Sequence, residues 1–189
     1  MSQENVEIVR RPLRVRERSS RPLHQRISLR FPRLVDAYTR VVDRLPPTSR
    51  IRQAAVGRAA RLTLEAWNRR DLDAFHLGRL PDWELRPARE LVEAGLTEEC
   101  YRGQAGYRDF MSSVFSEAWD GDAHAEPVEL IDLGDQLVVL GDVTTRGRAS
   151  GVPVSHEYAW VATLSNGKVI HQQEYLNHGE ALDAVGLRE

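Results

Sequence analysis

Between residues 126 and 176 the chain offers four long segments of strand character, at 126–132, 136–146, 154–164 and 168–176. Leu133-Gly134-Asp135 separates the first two, a glycine-bounded stretch at 147–151 the next two, and Asn166-Gly167 the last two. Asn-Gly between apolar runs signals a two-residue hairpin, because both central residues of that turn take positive φ. Long segments with such short connections pair as antiparallel neighbours. The rest of the chain must therefore cover a four-stranded meander.

The segments ahead of the meander carry helical periodicity. Residues 31–45 repeat Phe31, Leu34, Val35, Tyr38, Val41 or Val42, and Leu45, with Pro32 suited to a first turn and Pro46-Pro47 as the stop. A second helix over 49–68 aligns Ile51, Ala55, Ala59, Leu62 and Ala66, leaving Arg52, Arg58 and Arg61 off the stripe. Two consecutive amphipathic helices predict a hairpin, with the first lying against the domain. Asp71 caps a short helix ending near Gly78. A strand follows at 83–87, a loop at 88–99, a short strand at 100–102 and a strongly periodic helix at 104–119. The tail at 179–185 forms a last helix that Gly186 can cap. Helices first and a meander afterwards give an α+β fold.

Charge divides the chain. Residues 1–61 hold 15 arginines against five acids, a balance of +10, and the remainder 11 basic residues against 23 acids, a balance of −12. Residues 1–30 read as an irregular arginine-rich arm, residues 31–50 as an extension helix with its Pro-Pro turn, and 51–189 as the domain. The arm has charge for phosphate contacts but no interleaved aromatic residues for base stacking, so nucleic acid is not the expected partner. No apolar run reaches the roughly 20 residues that span a bilayer, so no membrane partner is expected either. Cys100 is the single cysteine, which leaves no disulfide and no cysteine cluster for zinc. A cytoplasmic location is the default, with no metal or cofactor.

Period-two alternation places His156, Tyr158 and Trp160 on one face of the strand 154–164. That face is expected to look into the concave side of the sheet, against Trp83 and the helix that begins near Tyr107. His156 is the candidate acid–base residue, because its ring titrates near neutral pH; a satisfied core histidine is the alternative. Tyr158 and Trp160 serve either as ligand contacts or as ordinary packing. Glu174 has the phase opposite to Asn177, so it belongs on the convex face unless a bulge intervenes.

A series of short motifs supports a resemblance. Glu65-Ala66-Trp67-Asn68-Arg69-Arg70-Asp71-Leu72-Asp73-Ala74-Phe75 is followed by Trp83-Glu84-Leu85-Arg86-Pro87 and Tyr101-Arg102-Gly103-Gln104-Ala105-Gly106-Tyr107. Asn166-Gly167-Lys168-Val169-Ile170, Tyr175-Leu176-Asn177 and Glu180-Ala181-Leu182 complete it. In this order the motifs resemble the SnoaL-like branch of the nuclear transport factor 2-like superfamily, over about residues 51–189, with an extension like that of some actinobacterial relatives. Met1–Arg11 also resembles the usual family opening, which normally runs directly into the Ala-Trp-Asn helix; here about fifty residues intervene.

The resemblance implies a cone-shaped, curved antiparallel sheet with helices packed on its concave face. It also implies an internal site for a small, largely apolar molecule, lined by Trp83, Leu85, Tyr107, Tyr158, Trp160, Tyr175 and Asn177. Enzymes of the superfamily use cofactor-free acid–base isomerisation, cyclisation or hydrolysis; other members only bind or associate. The position of the cyclase aspartate corresponds here to Asn177 and that of the ketosteroid isomerase base to Leu85, and neither can accept a proton. Asp142 and Arg146 are the nearest approach to the epoxide hydrolase set. Family members often pair through the exposed sheet face, which implies a homodimer.

Overall fold

A computed structural model describes residues 9–12, 21–116, 123–146 and 151–187. In chain order the elements are β1 (Val9–Pro12), α1 (Leu23–Arg30), α2 (Pro32–Asp43), α3 (Arg50–Asn68), α4 (Leu72–Phe75) with a 3-10 turn at His76–Gly78, and β2 (Arg79–Arg86). Then come α5 (Arg89–Glu93), β3 (Tyr101–Arg102), α6 (Gly103–Ser116), β4 (His124–Asp132), β5 (Gln136–Arg146), β6 (Pro153–Ser165), β7 (Lys168–Tyr175) and α7 (His178–Ala184). The end of the expected helix 104–119 and part of the 147–151 turn lie outside the described residues.

The strands form one curved sheet in the order β1-β4-β5-β6-β7-β2-β3. The meander β4–β7 is antiparallel as expected, but β2 pairs with β7 in parallel, so the sheet is mixed. Strand β2 precedes the meander in the chain, and β7, the meander's last strand, comes to lie beside it in the same direction. The concave face carries α3, α4 and α6, with Leu64, Trp67, Phe75, Trp83, Leu85, Tyr107 and Phe110 in its core. A smaller core on the convex face joins Ile131, Val138, Leu140, Ala159 and Val161 to Ala181 and Leu182 of α7. The fold is α+β, a cone with an N-terminal helical extension.

The N-terminal region is more regular than its composition suggested. Val9–Pro12 pairs antiparallel with Asp132–Glu129, and Leu23–Arg30 is helical although it lies within the expected arm. Pro22 and Pro12 mark the boundaries of these elements and do not forbid them: Pro22 is the N-cap of α1, at φ −63° and ψ 152°.

Helix α3 also departs from its stripe. Ile51 is 68% exposed and Arg52 only 2%. The cause is a polar socket: Arg52 Nε and Nη2 donate to the two carboxylate oxygens of Asp132 at 2.8 and 2.9 Å, and Nη1 donates to the carbonyls of Asp43 and Leu45. Nη2 also donates to the Gly134 carbonyl. A fully bonded guanidinium can be buried where a lone one cannot. The extension thus docks as expected. Lys168 Nζ lies 2.5 Å from Asp36 of α2, and Gly167 meets Thr39.

Candidate functional site

Strands β6 and β7 build the concave surface. Their hairpin turns at Asn166 and Gly167, both with positive φ, and pairs Ser165 with Lys168 and Leu164 with Val169. The register then shifts by one, so that Thr163 faces His171 and Trp160 faces Glu174. Ile170 is the extra residue. A bulge of this kind moves every later side chain to the other face. It turns Gln172 and Glu174 inward and Tyr175 outward.

Glu174 is 2% exposed. Its Oε2 is buried without a hydrogen-bond partner among the described residues. Burial pushes its carboxyl up to about 7, against the opposing pull of Tyr158, Trp160 and Gln172, whose polar hydrogens face it, and of the Arg79 charge. Burial likewise raises the Tyr158 hydroxyl, with the Glu174 charge adding to it, so Tyr158 stays a neutral donor.

Arg79, also buried, completes this end. Its Nη1 donates to the Phe75 carbonyl at 2.6 Å and Nη2 to Gln172 Oε1 at 2.8 Å, while the guanidinium lies 3.6 Å over the Phe75 ring. Burial lowers it to about 10, countered by Tyr107 and Glu174. His76 adjoins the same aromatic group, 5.5 Å from Tyr107 and 5.8 Å from Trp83 between ring centroids. Its Nδ1 bonds the Leu72 carbonyl at 2.6 Å, which makes Nδ1 the protonated nitrogen and leaves Nε2 as an acceptor. Burial depresses its pKa.

The structure gathers Trp83, Leu85, Tyr107, Tyr158 and Trp160 in or against one core, as the sequence predicted. Trp83, Leu85 and Tyr107 are fully buried floor residues, whereas Tyr158 and Trp160 keep part of their surface open. His156 lies on the same face, paired with Val143 and half-buried; burial lowers its pKa and Asp142 opposes the shift. It is about 13 Å along β6 from Trp160 at the usual rise per residue, so it stands at the opposite end of the aromatic row from Glu174.

Two expected lining residues lie elsewhere. Tyr175 packs against the convex core beside Leu182, because the bulge reversed its side. Asn177 is exposed and caps α7, accepting from the Glu180 backbone N–H at 3.2 Å. Glu174, expected on the convex face, is inside for the same reason. Arg79, His76 and Gln172 were not anticipated. Arg79 and His76 follow Phe75 in a segment with no periodicity to place them, and Gln172 depends on the bulge. Asp142 pairs with Glu157 on the convex side, so it forms no site with the interior.

Among the described residues no group of three His, Cys, Asp or Glu side chains is placed to hold a metal, and no described helix is long and apolar enough to cross a membrane. A cavity of about 190 Å³ lies between α2 and the segment from α4 to the start of β2, lined by Val35, Asp36, Asp73, His76, Arg79 and Lys168.

The model of the SnoaL-like domain matches residues 60–172, more than half of the chain. The chain belongs to the SnoaL-like domain family. Solved structures agree on the fold. TerC, co-crystallised with polyporic acid, superposes with a TM-score of 0.56 at 22% identity, covering 64% of this chain and 89% of TerC. An NTF2-like protein of unknown function from Burkholderia pseudomallei gives 0.56 at 21% identity, covering 68% and 95%. A putative SnoaL-like polyketide cyclase from Jannaschia gives 0.52 at 18%, covering 71% and 92%. No curated protein matches the sequence significantly. In this SnoaL-like domain Glu174, on β7, is a buried carboxylate on the concave face.

Proposed function

We propose that the domain binds a small, largely apolar molecule against Tyr158 and Trp160, and that Glu174 exchanges a proton with it without a cofactor. The observation that carries this reading is the Glu174 carboxyl, buried beside the partly open Tyr158 and Trp160, with one oxygen lacking a hydrogen-bond partner among the described residues and its pKa pushed up to about 7. A base poised near neutrality suits abstraction of a proton from carbon next to a carbonyl. In that step the C–H electron pair moves into the carbonyl as an enolate, the proton goes to Glu174, and the Tyr158 hydroxyl donates to the oxygen. Return of the proton to a second carbon completes an isomerisation; attack of the enolate on a second carbonyl completes a cyclisation. TerC, which shares the fold, was co-crystallised with polyporic acid, which supports a small-molecule ligand.

The competing reading, a binding module without turnover, draws on Asn177 and Leu85 at the family base positions. One experiment separates the two. Polyporic acid titrated into the protein should quench tryptophan fluorescence from the concave core, which holds Trp67 and Trp83 with Trp160 packed against it. The enolisable bicyclic ketone 2-tetralone in deuterated buffer should then exchange its acidic protons faster with protein than without, the rate rising through about pH 7. Glu174→Gln should remove the acceleration and keep the quenching. Quenching with no acceleration in the native protein selects the binding module; neither effect overturns the ligand site.

A further inference from the structure

The cavity of about 190 Å³ beneath α2 has the liquid volume of about six waters, and the step at Glu174 leaves it unused. Two of the side chains that line it keep a buried nitrogen with no hydrogen-bond partner among the described residues: Arg79 at Nε and His76 at Nε2. Both stand against the Phe75 ring, the guanidinium 3.6 Å and the imidazole 5.4 Å from its centroid. Arg79 is 8% exposed, and its two Nη atoms already donate to the Phe75 carbonyl and to Gln172, so Nε–H is the donor left over. His76 carries its proton on Nδ1, so Nε2 accepts. Buried polar atoms are costly to leave unpaired, and in a cavity the partner is whatever the cavity holds.

Charge narrows what that partner is. Of the acids on the wall, Asp36 is paired with Lys168 at 2.5 Å, while Asp73 lies 3.6 Å from Arg21 and accepts from Gln104 at 3.3 Å. Lys168 is thus neutralised, whereas Arg79 donates to two neutral acceptors. Burial disfavours the Arg79 charge, and the groups that offset this are Tyr107, itself held neutral by burial, and Glu174, whose carboxyl is pushed up to about 7. A buried cation of this kind favours an anion beside it.

We propose that this cavity is a second ligand site, built for a small hydroxy acid: its carboxylate accepts from Arg79 Nε, its hydroxyl donates to His76 Nε2, and its carbon body lies on Pro32, Val35 and Leu77. One functional group would not serve both nitrogens. A carboxylate alone has no hydrogen to give a neutral His76, and an alcohol alone leaves the Arg79 charge without an anion. Because Pro32 and Val35 belong to α2, the extension supplies a wall that residues 51–189 lack. The site does not depend on turnover at Glu174.

Mandelate, which carries a phenyl ring, a hydroxyl and a carboxylate, is the probe, and the NMR signal of the Arg79 Nε–H is the readout. Titration into the full chain should shift that signal to saturation. Phenylacetate, which lacks the hydroxyl, and mandelamide, which lacks the charge, should each bind about tenfold or more weakly. His76→Phe keeps a ring beside Phe75 and removes the acceptor, so it should bring mandelate down to the affinity of phenylacetate. Val35→Phe fills the cavity from α2 and should weaken mandelate about tenfold. The three probes in the native protein decide the matter even where a variant fails to fold. No saturable shift overturns the proposal, as does mandelamide binding as tightly as mandelate, or a preference for mandelate over phenylacetate that survives His76→Phe. A shift reproduced by chloride alone would leave only an inorganic-anion site and overturn the hydroxy-acid assignment. A shift abolished by polyporic acid would move mandelate to the interior and overturn it too. Tryptophan quenching by polyporic acid reads the interior site separately, so either site can fail without the other.

Discussion

Glu174 stands directly across the β6–β7 ladder from Trp160, with both side chains on the concave face and the carboxyl out of solvent. Burial and an incomplete set of partners hold a proton on it well above the ordinary carboxylate range. Its chemistry and its effect on stability therefore share one origin.

The stability effect has a defined sign. With a native pKa of about 7 against a reference of 4.5, the folded state binds more protons than the unfolded state between those values, so Glu174 lowers stability as pH rises through that window. The full swing is up to about 3 kcal/mol. His76 and His156, depressed by burial, act the other way as pH falls below their ordinary range. The difference between native protein and Glu174→Gln in urea unfolding isolates the carboxyl: the variant should gain relative stability from pH 5 to pH 8. A flat difference would mean that the carboxyl is ionised throughout.

Removing one partner of the Arg52–Asp132 pair should be severe. Asp132→Asn leaves the buried guanidinium only the longer 3.7 Å contact with Asp43 as counter-charge and should cost about 3–5 kcal/mol, whereas the double change Arg52→Met with Asp132→Leu should cost less than either single change. Thermal unfolding of the three variants checks this.

Gly167 joins the hairpin to the extension. An added Cβ would lie 2.5 Å from the Thr39 carbonyl oxygen, at φ +73°. Gly167→Ala should cost about 1–3 kcal/mol and loosen α2, seen as faster proteolytic cleavage within 31–50 while the rest of the domain resists.

Asn177 acts as a cap. Asn177→Ala should cost about 1 kcal/mol through loss of the α7 cap and leave polyporic acid quenching unchanged. A loss of ligand binding would return Asn177 to the interior.

Local chemistry made much of this fold legible. The Asn166-Gly167 turn, the strand lengths of the meander, the Asp71 cap and the periodicity of α6 each depend on neighbours within a few residues, so the sequence alone determined an α+β sheet with an aromatic concave face. The alternation on β6 likewise placed His156, Tyr158 and Trp160 together. Two features depended on distant contacts. Whether Arg52 is solvated or buried turned on Asp132, 80 residues away. Which of Gln173, Glu174 and Tyr175 faces inward turned on one extra residue at Ile170, since a period-two pattern reverses with a single-residue shift. The sequence thus determined that an aromatic interior exists; only the tertiary structure, by slipping β7 one residue against β6, decided that a carboxyl would sit inside it.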